Sequence, residues 1–385
     1  MDNIAGQRSS YAWAAQLAVA GLVFLWLIPT LGLLVSSFRD RDQISETGWW
    51  RSAAPVERAF RVSAPPAEAA ERQGDLWVIE GTIFDLHEQA DLLNEIGPVI
   101  SAFGTSGFQP TAYPAGSEAE LDEGLTLSVN ADGTYRITSP DPIAEGGQRL
   151  YFGAMMPPDF TVENYQIVLS SDDMDLAFIN TVVVAVPATI IPILFAAFAA
   201  YALAWMDFPG RGLLVAAVVG LLVVPLQIAL VPLLRLHEAV GIGQSFLGIW
   251  LAHTGYGIPL AIYLLRNYMI GLPRDIIECA KIDGATDFQI FTKIILPLSF
   301  PALASFAIFQ FLWTWNDLLV AKVFLPSDSE SWVMTRKIAD DLLGSRGGDW
   351  GILSAAAFVS LAVPIGVFFA MQRYLVRGML AGSVK

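Results

Sequence analysis

The sequence predicts an all-α polytopic membrane protein of six transmembrane helices, with an extracytoplasmic β-containing insertion after the first. Three observations carry that prediction. Of the 385 residues, 54% are hydrophobic and only 15% charged, with a mean hydropathy of +0.52; soluble domains carry about 25% charged residues. Six stretches are apolar and close to the length of about 20 helical residues that crosses about 30 Å of hydrocarbon. The excess of acid sits in one place, between Arg39 and Asp175, where 8 Lys/Arg face 24 Asp/Glu.

In chain order the spans run over Tyr11–Ser36, Ala177–Met206, Gly212–Leu234, Phe246–Leu265, Leu298–Val320 and Gly351–Tyr374. Each is expected to be helical, because a bilayer offers no water to an unpaired backbone group. Pro29, Pro187, Pro192, Pro225, Pro232 and Pro259 lie within or near them, freeing carbonyls and bending helices that their neighbours must cover. The first span is too long for a signal-peptide core of about 7–15 residues, and no small-x-small site follows it, so it is expected to remain as an anchor.

Lys and Arg in the short loops set the orientation. With the N-terminus inside, Arg8, Arg211, Arg266, Arg274, Lys281, Lys293, Arg373, Arg377 and Lys385 are cytoplasmic, against Arg235, Lys322, Arg336, Lys337 and Arg346 outside. Nine against five puts both termini in the cytoplasm. The expected organisation is residues 1–36 as N-terminus and first span, an exported insertion over 37–176, a five-helix core over 177–376 and a tail over 377–385.

Within the insertion, Asp75–Asp85 reads as a strand and turn, and Leu125–Ile137 alternates apolar and polar residues on both sides of Asn130–Gly133, a hairpin signal. Ala64–Ala70 reads as linker. The segment shows no nucleophile elbow and no metal spacing. A lone cysteine, Cys279, excludes an intrachain disulfide, and with three histidines the chain has too few ligands for a Cys/His zinc cluster. No basic face is visible for nucleic acid, and without any Gly-Lys pair there is no Walker A loop.

The most informative stretch is the loop from Arg266 to Pro297. Pro273 suits a first helical turn, and Ile276, Ile277, Ala280 and Gly284 fall on one helical face. Gly284 permits a left-handed turn that ends this helix. A second amphipathic run, Phe288, Phe291, Ile294 and Ile295, leads to Pro297. Membrane lipid is one receptor for such helices, but Asp275, Glu278, Asp283 and Asp287 would repel anionic headgroups, and a protein groove fits better.

Glu278-Cys279-Ala280, then Gly284 and Ile294-Ile295-Leu296-Pro297, resemble the EAA motif of the membrane subunits of binding-protein-dependent ABC importers, departing at Cys279. Phe160–Leu169 with Asn180-Thr181 is similar to the core entry of carbohydrate permeases. Trp315-Asn316-Asp317 and the tail from Gly378 to Lys385 resemble the maltose-type second permease, and the insertion is more like that of alpha-glucoside (AglG-type) permeases. The resemblance implies an ABC type I importer permease fold, no cofactor and no catalysis on this chain. It implies a second permease subunit, a cytoplasmic ATPase dimer and a periplasmic sugar-binding protein as partners, with maltose, trehalose or sucrose as the substrate class.

By the same resemblance Glu278, Cys279, Ala280, Asp283, Gly284, Ala285, Ile294, Leu296 and Pro297 form the ATPase-coupling segment. Gly378, Gly382 and Lys385 belong to a tail that contacts the ATPase, and Gly344, Gly347 and Gly348 to a loop that meets the binding protein. Asn180, Gln227, His253 and Gln310 are polar residues within spans that could line a sugar path or bond neighbouring helices. Two other readings stay open. A secondary transporter would want acidic groups deep in a span, whereas Asp317 lies at an outer boundary. A receptor with an extracytoplasmic sensing domain would leave the Glu278–Pro297 spacing unexplained.

Overall fold

The computed structural model describes residues 10–88, 90–121, 124–143, 149–171, 173–342 and 349–381. They form two compact units, Met1–Val162 and Glu163–Lys385.

The first unit opens with α1 (Ser10–Ser37), whose apolar side chains stay almost wholly uncovered along its length. Bare apolar surface on this scale fits lipid, where exposure carries no cost. The chain then turns at Arg39, whose side chain is buried. Its guanidinium donates to the carbonyls of Gln43 (2.8 Å) and Thr47 (3.1 Å) at the end of α2 (Arg41–Glu46). Burial pulls the Arg39 pKa below its ordinary value. Arg39 also forms an antiparallel bridge with Phe160, and the Thr161 amide donates to the Phe38 carbonyl at 2.7 Å. The start and end of the insertion are therefore stitched together.

Among the described residues, nine strands lie between them in two antiparallel sheets. One has the order β1 (Val56–Ser63), β9 (Arg149–Met156), β4 (Val99–Gly104), β5 (Tyr113–Pro114). The other runs β2 (Glu71–Gln73), β3 (Leu76–Thr82), β8 (Thr134–Ser139), β7 (Thr126–Val129), β6 (Glu118–Glu120). Alternate residues of both sheets, among them Phe60, Leu150 and Phe152 from one and Ile79, Leu127 and Ile137 from the other, share one core with Leu93 of α3 (Ala90–Ile96). This is the period-2 pattern of half-buried strands. The hairpin signal corresponds to β7–β8, with Val129 opposite Tyr135 and Gly133 at φ +86° in the turn. The Asp132 carboxylate accepts from the Thr134 hydroxyl and amide, which holds its pKa below the usual range. The stretch read as linker carries a single 3-10 turn at Ala67–Ala69.

The second unit begins at α4 (Glu163–Ser170), a helix assigned above to the insertion. Its buried Val168 packs with Met174, Ile352 and Ala355 instead. The long helices α5 (Met174–Trp205) and α8 (Phe246–Ile270) are each long and apolar enough to cross a bilayer, as is Trp350–Tyr374 of the last helix. α5 buries Ala177, Ala185, Ala188, Ala196, Ala197 and Ala200, the small-residue packing by which membrane helices approach closely.

Two of the expected spans are not straight. The third is split into α6 (Arg211–Leu221) and α7 (Leu226–Ala239), bent by 108° where Pro225 caps α7 and cannot continue a helix through its missing N–H. In the fifth, α10 (Asp287–Leu298) meets α11 (Phe300–Trp315) at 69° around Ser299 and Pro301. α11 stops at Asn316 rather than reaching Val320, and α12 (Leu319–Phe324) follows with the Asp317 carboxylate accepting from the amides of Leu319 and Val320, both at 3.1 Å. A short α13 (Met334–Lys337) precedes α14 (Trp350–Ala381).

Candidate functional site

α9 (Arg274–Ile282) follows directly on Pro273 and is nine residues long. Ile277 and Ala280 are buried, in one cluster with Ala200, Tyr201 and Leu203 of α5, Leu265 and Met269 of α8, and Ile290, Phe291 and Ile295 of α10. Glu278 and Cys279 face away and are exposed, and so are Ile282 (84% exposed) and Phe288 (65%). A carboxylate thus stands one turn from the bare Ile282 on α9, and α10 carries the bare Phe288, on two helices whose other faces share one buried cluster.

The structure corrects two side chains of the predicted stripe. Ile276 is turned outward, because only one flank of the apolar stripe is covered by α5 and α8. Phe288 is outward too. A π turn over Phe291–Ile295 shifts the phase of α10, so Ile290, Phe291 and Ile295 become the buried set.

The joint between α9 and α10 is closely specified. Gly284 is left-handed (φ +79°); its amide donates to the Lys281 carbonyl and that of Ala285 to the Ala280 carbonyl, each at 3.0 Å. This pair of bonds is a Schellman motif, which satisfies carbonyls that the helix end would leave orphaned. Asp283 is the exposed C-cap. Two residues on, the Thr286 hydroxyl accepts from the Gln289 amide while the Gln289 side chain accepts from the Thr286 amide, a complete capping box. Gly284→Ala is expected to cost about 1–2 kcal/mol at this turn. Hydrogen exchange over 283–290 should accelerate, and unchanged exchange would refute the assigned conformation.

Ile294 and Leu296 are half-buried and Pro297 is exposed at the far end of α10. Leu296 and Pro297 line an apolar groove with Ile193, Leu194 and Phe300. The segment is also tied to the end of α5. Arg211 and Arg266 both donate through Nε to the Leu203 carbonyl, at 2.9 and 3.1 Å, and Arg211 donates again to that of Ala204 at 3.0 Å. Cations at a helix C-terminus are favoured by its dipole. The sequence marks these arginines as loop charge; their capping role depends on the fold bringing the start of α6 and the end of α8 to the end of α5. The Lys281–Asp287 pair (3.9 Å) is more than half exposed and contributes little.

The four polar residues placed within spans separate into distinct environments. Asn180 donates to the carbonyls of Glu330 (2.7 Å) and Trp332 (3.1 Å), so it pins a loop. Gln227 is exposed on α7. Gln310 donates to the Ala188 carbonyl at 3.2 Å but leaves its buried Oε1 unpartnered. His253 Nε2, also buried, lies 3.6 Å from Asp317 Oδ2, beyond hydrogen-bond reach. Gly344, Gly347 and Gly348, and likewise Gly382 and Lys385, lie outside the described residues; Gly378 is in the last turn of α14.

Long apolar helices interrupted by sharp bends, with a capped helical pair seated on their ends, compose an importer permease fold. A family model described as "Binding-protein-dependent transport system inner membrane component" matches residues 173–381. The chain belongs to that family and is an inner membrane, multi-pass component of such a system. It is 55% identical, over 98% of both chains, to the alpha-glucoside transport system permease protein AglG of Rhizobium meliloti (strain 1021). It is also 55% identical to the osmoprotective compounds uptake permease protein GgtD of Synechocystis sp., over 64% of this chain and 82% of that one. To the trehalose transport system permease protein SugB of Mycobacterium tuberculosis it is 34% identical, over 60% of this chain and 85% of that one.

Proposed function

We propose that this permease carries alpha-glucosides of the maltose, trehalose and sucrose class, driven by a cytoplasmic ATPase dimer that grips the α9–α10 pair. The observation that carries the coupling role is the exposed residues of that pair: Glu278 and Ile282 on α9 and Phe288 on α10, on helices whose opposite faces are buried in the bundle. Exposed apolar groups around a charge on a rigid element suit a protein groove. The substrate class rests on the likeness to AglG along nearly the whole chain.

In this reading each bent pair counts as one span, giving six, and both termini are cytoplasmic. A second permease subunit completes the path. Glu278 anchors to a basic residue of the ATPase, and Cys279, Ala280, Asp283, Gly284 and Ala285 shape the docked corner. Ile294, Leu296 and Pro297 carry its motion into α11. Gly378, Gly382 and Lys385 reach the ATPase, and the loop holding Gly344, Gly347 and Gly348 meets a periplasmic sugar-binding protein. Cys279 gives a direct test, being the single cysteine and exposed. A membrane-impermeant maleimide should modify it in inside-out vesicles stripped of ATPase, and be excluded once the ATPase is restored. Equal labelling with and without ATPase, or labelling from the outer side, would overturn the coupling assignment or the orientation respectively.

A further inference from the structure

Gly32 is buried on an otherwise uncovered stretch of α1. The indole of Trp49 covers it: a Cβ at Gly32 would come within 2.7–2.9 Å of three atoms of that ring. Glycine is a poor helix former, and here it makes a seat for the ring. Arg39 brings the chain back to α1, donating to the carbonyls of Gln43 and Thr47 and to the Thr47 hydroxyl (2.8 Å). Trp49, Trp50 and Arg51 then form a 3-10 turn. The two indoles meet edge to face at 6.1 Å, and the Trp50 ring folds back over Gly48, where any side chain would collide with it. Trp50 nevertheless stays 72% exposed, and Arg51 is exposed beside it. Phe160, bridged to Arg39 at the same end of α1, and Val162 are more than half exposed as well.

The level of the turn along α1 identifies what meets these side chains. Trp13, 57% exposed, lies near the start of α1, and Gly32 lies 19 residues beyond it. At about 1.5 Å per residue that is about 28 Å, close to the thickness of about 30 Å of hydrocarbon. Trp13 at one end and the seated Trp49 at the other therefore bracket the hydrocarbon, at the two levels where tryptophan concentrates in membrane proteins. The bare surface of the turn continues the bare, lipid-facing surface of α1. An indole buries its ring among acyl chains and keeps its N–H for the polar zone, and a guanidinium pairs with phosphate oxygens.

We infer that Trp49, Trp50 and Arg51 form an interfacial anchor that rests the base of the insertion on the phospholipid headgroups where α1 leaves the bilayer. Trp49 fixes the turn to α1, Trp50 enters the boundary between acyl chains and headgroups, and Arg51 binds a lipid phosphate. The inference rests on reading α1 as a membrane span.

The test uses the whole importer, carrying Cys279→Ser, in nanodiscs of phosphatidylcholine. A bimane on Trp50→Cys should be quenched by lipid spin-labelled at the headgroup, less by lipid labelled at the acyl-chain end, and shielded from aqueous iodide. Gly32→Leu unseats Trp49, and Trp49→Ala removes it without crowding α1. In either chain the docked-to-free ratio should fall about tenfold, the loss of one buried ring, and iodide should then reach the probe. Equal iodide quenching with and without these changes would overturn the inference. So would shielding from iodide with no quenching by either lipid label, because protein rather than lipid would then cover the turn. A separate probe on Gly21→Cys, where nothing lies within 4 Å of an added Cβ, checks the span itself. It should be quenched by the acyl-chain label in every case, and its failure to be quenched would remove α1 from the bilayer and the anchor with it.

Discussion

Glu278→Lys is expected to leave the chain folded in the membrane, to release the ATPase on copurification and to lower sugar uptake by at least about 100-fold, near 2.7 kcal/mol of lost coupling. Glu278 lies on the outer face of α9, while the residues that seat this helix, Ile277 and Ala280, are on the other. An exposed substitution of that kind changes folding stability by roughly 0.5 kcal/mol or less. Placing a cation against a basic receptor does more, because like charges brought together at an interface cost several kcal/mol. Undiminished ATPase recovery with the lysine variant would remove Glu278 from the interface. Glu278→Gln separates the two contributions, since it loses the attraction without adding repulsion and should retain part of the ATPase.

Phe152→Ala should unfold the insertion while leaving the helical unit intact. Phe152 is fully buried between the sheets, stacked on Phe60 at 5.1 Å and edge-on to Phe84 at 6.1 Å. Truncating such a ring costs about 3–5 kcal/mol in lost burial and residual cavity, a large share of the roughly 5–15 kcal/mol that holds a domain. No disulfide can compensate, because the chain has one cysteine. Limited proteolysis of membranes from the outer side should cut the variant between β1 and β9 and spare the wild type. Equal resistance would show that the two sheets do not share one essential core.

The parts that could be read from the sequence are those fixed by local chemistry. Hydrocarbon thickness makes a 32-residue apolar stretch such as α5 legible without a partner, and the Asn130–Gly133 turn announces the β7–β8 hairpin by itself. Gly284 could be assigned a left-handed turn because few residues but glycine take that conformation cheaply. The phase of α10 was not legible, since a π turn leaves no mark in a 3.6-residue pattern. Pro225 could be seen to bend a helix, but the 108° angle follows from packing among α5, α7 and α8. Gln310 and Thr314, four residues apart on α11, show their common side in the sequence; that His253 lies opposite Thr314 and Asp317 depends on the register between two helices and on the turn after α11. The pairing of Arg211 and Arg266 on one carbonyl is of the same kind.

The bridge between Arg39 and Phe160 has a further consequence. A folded body whose two ends enter and leave at adjoining backbone positions can be gained or lost without altering the path of the chain on either side. The insertion is in that sense a cassette, and its departure would require no relocation of the flanking strands of chain. A permease shortened by a splice from Phe38 to Thr161 keeps its α9–α10 pair and its span order. Lineages of such permeases are thus free to differ by this whole body at once, and the amides and carbonyls at the seam mark where the cut would fall.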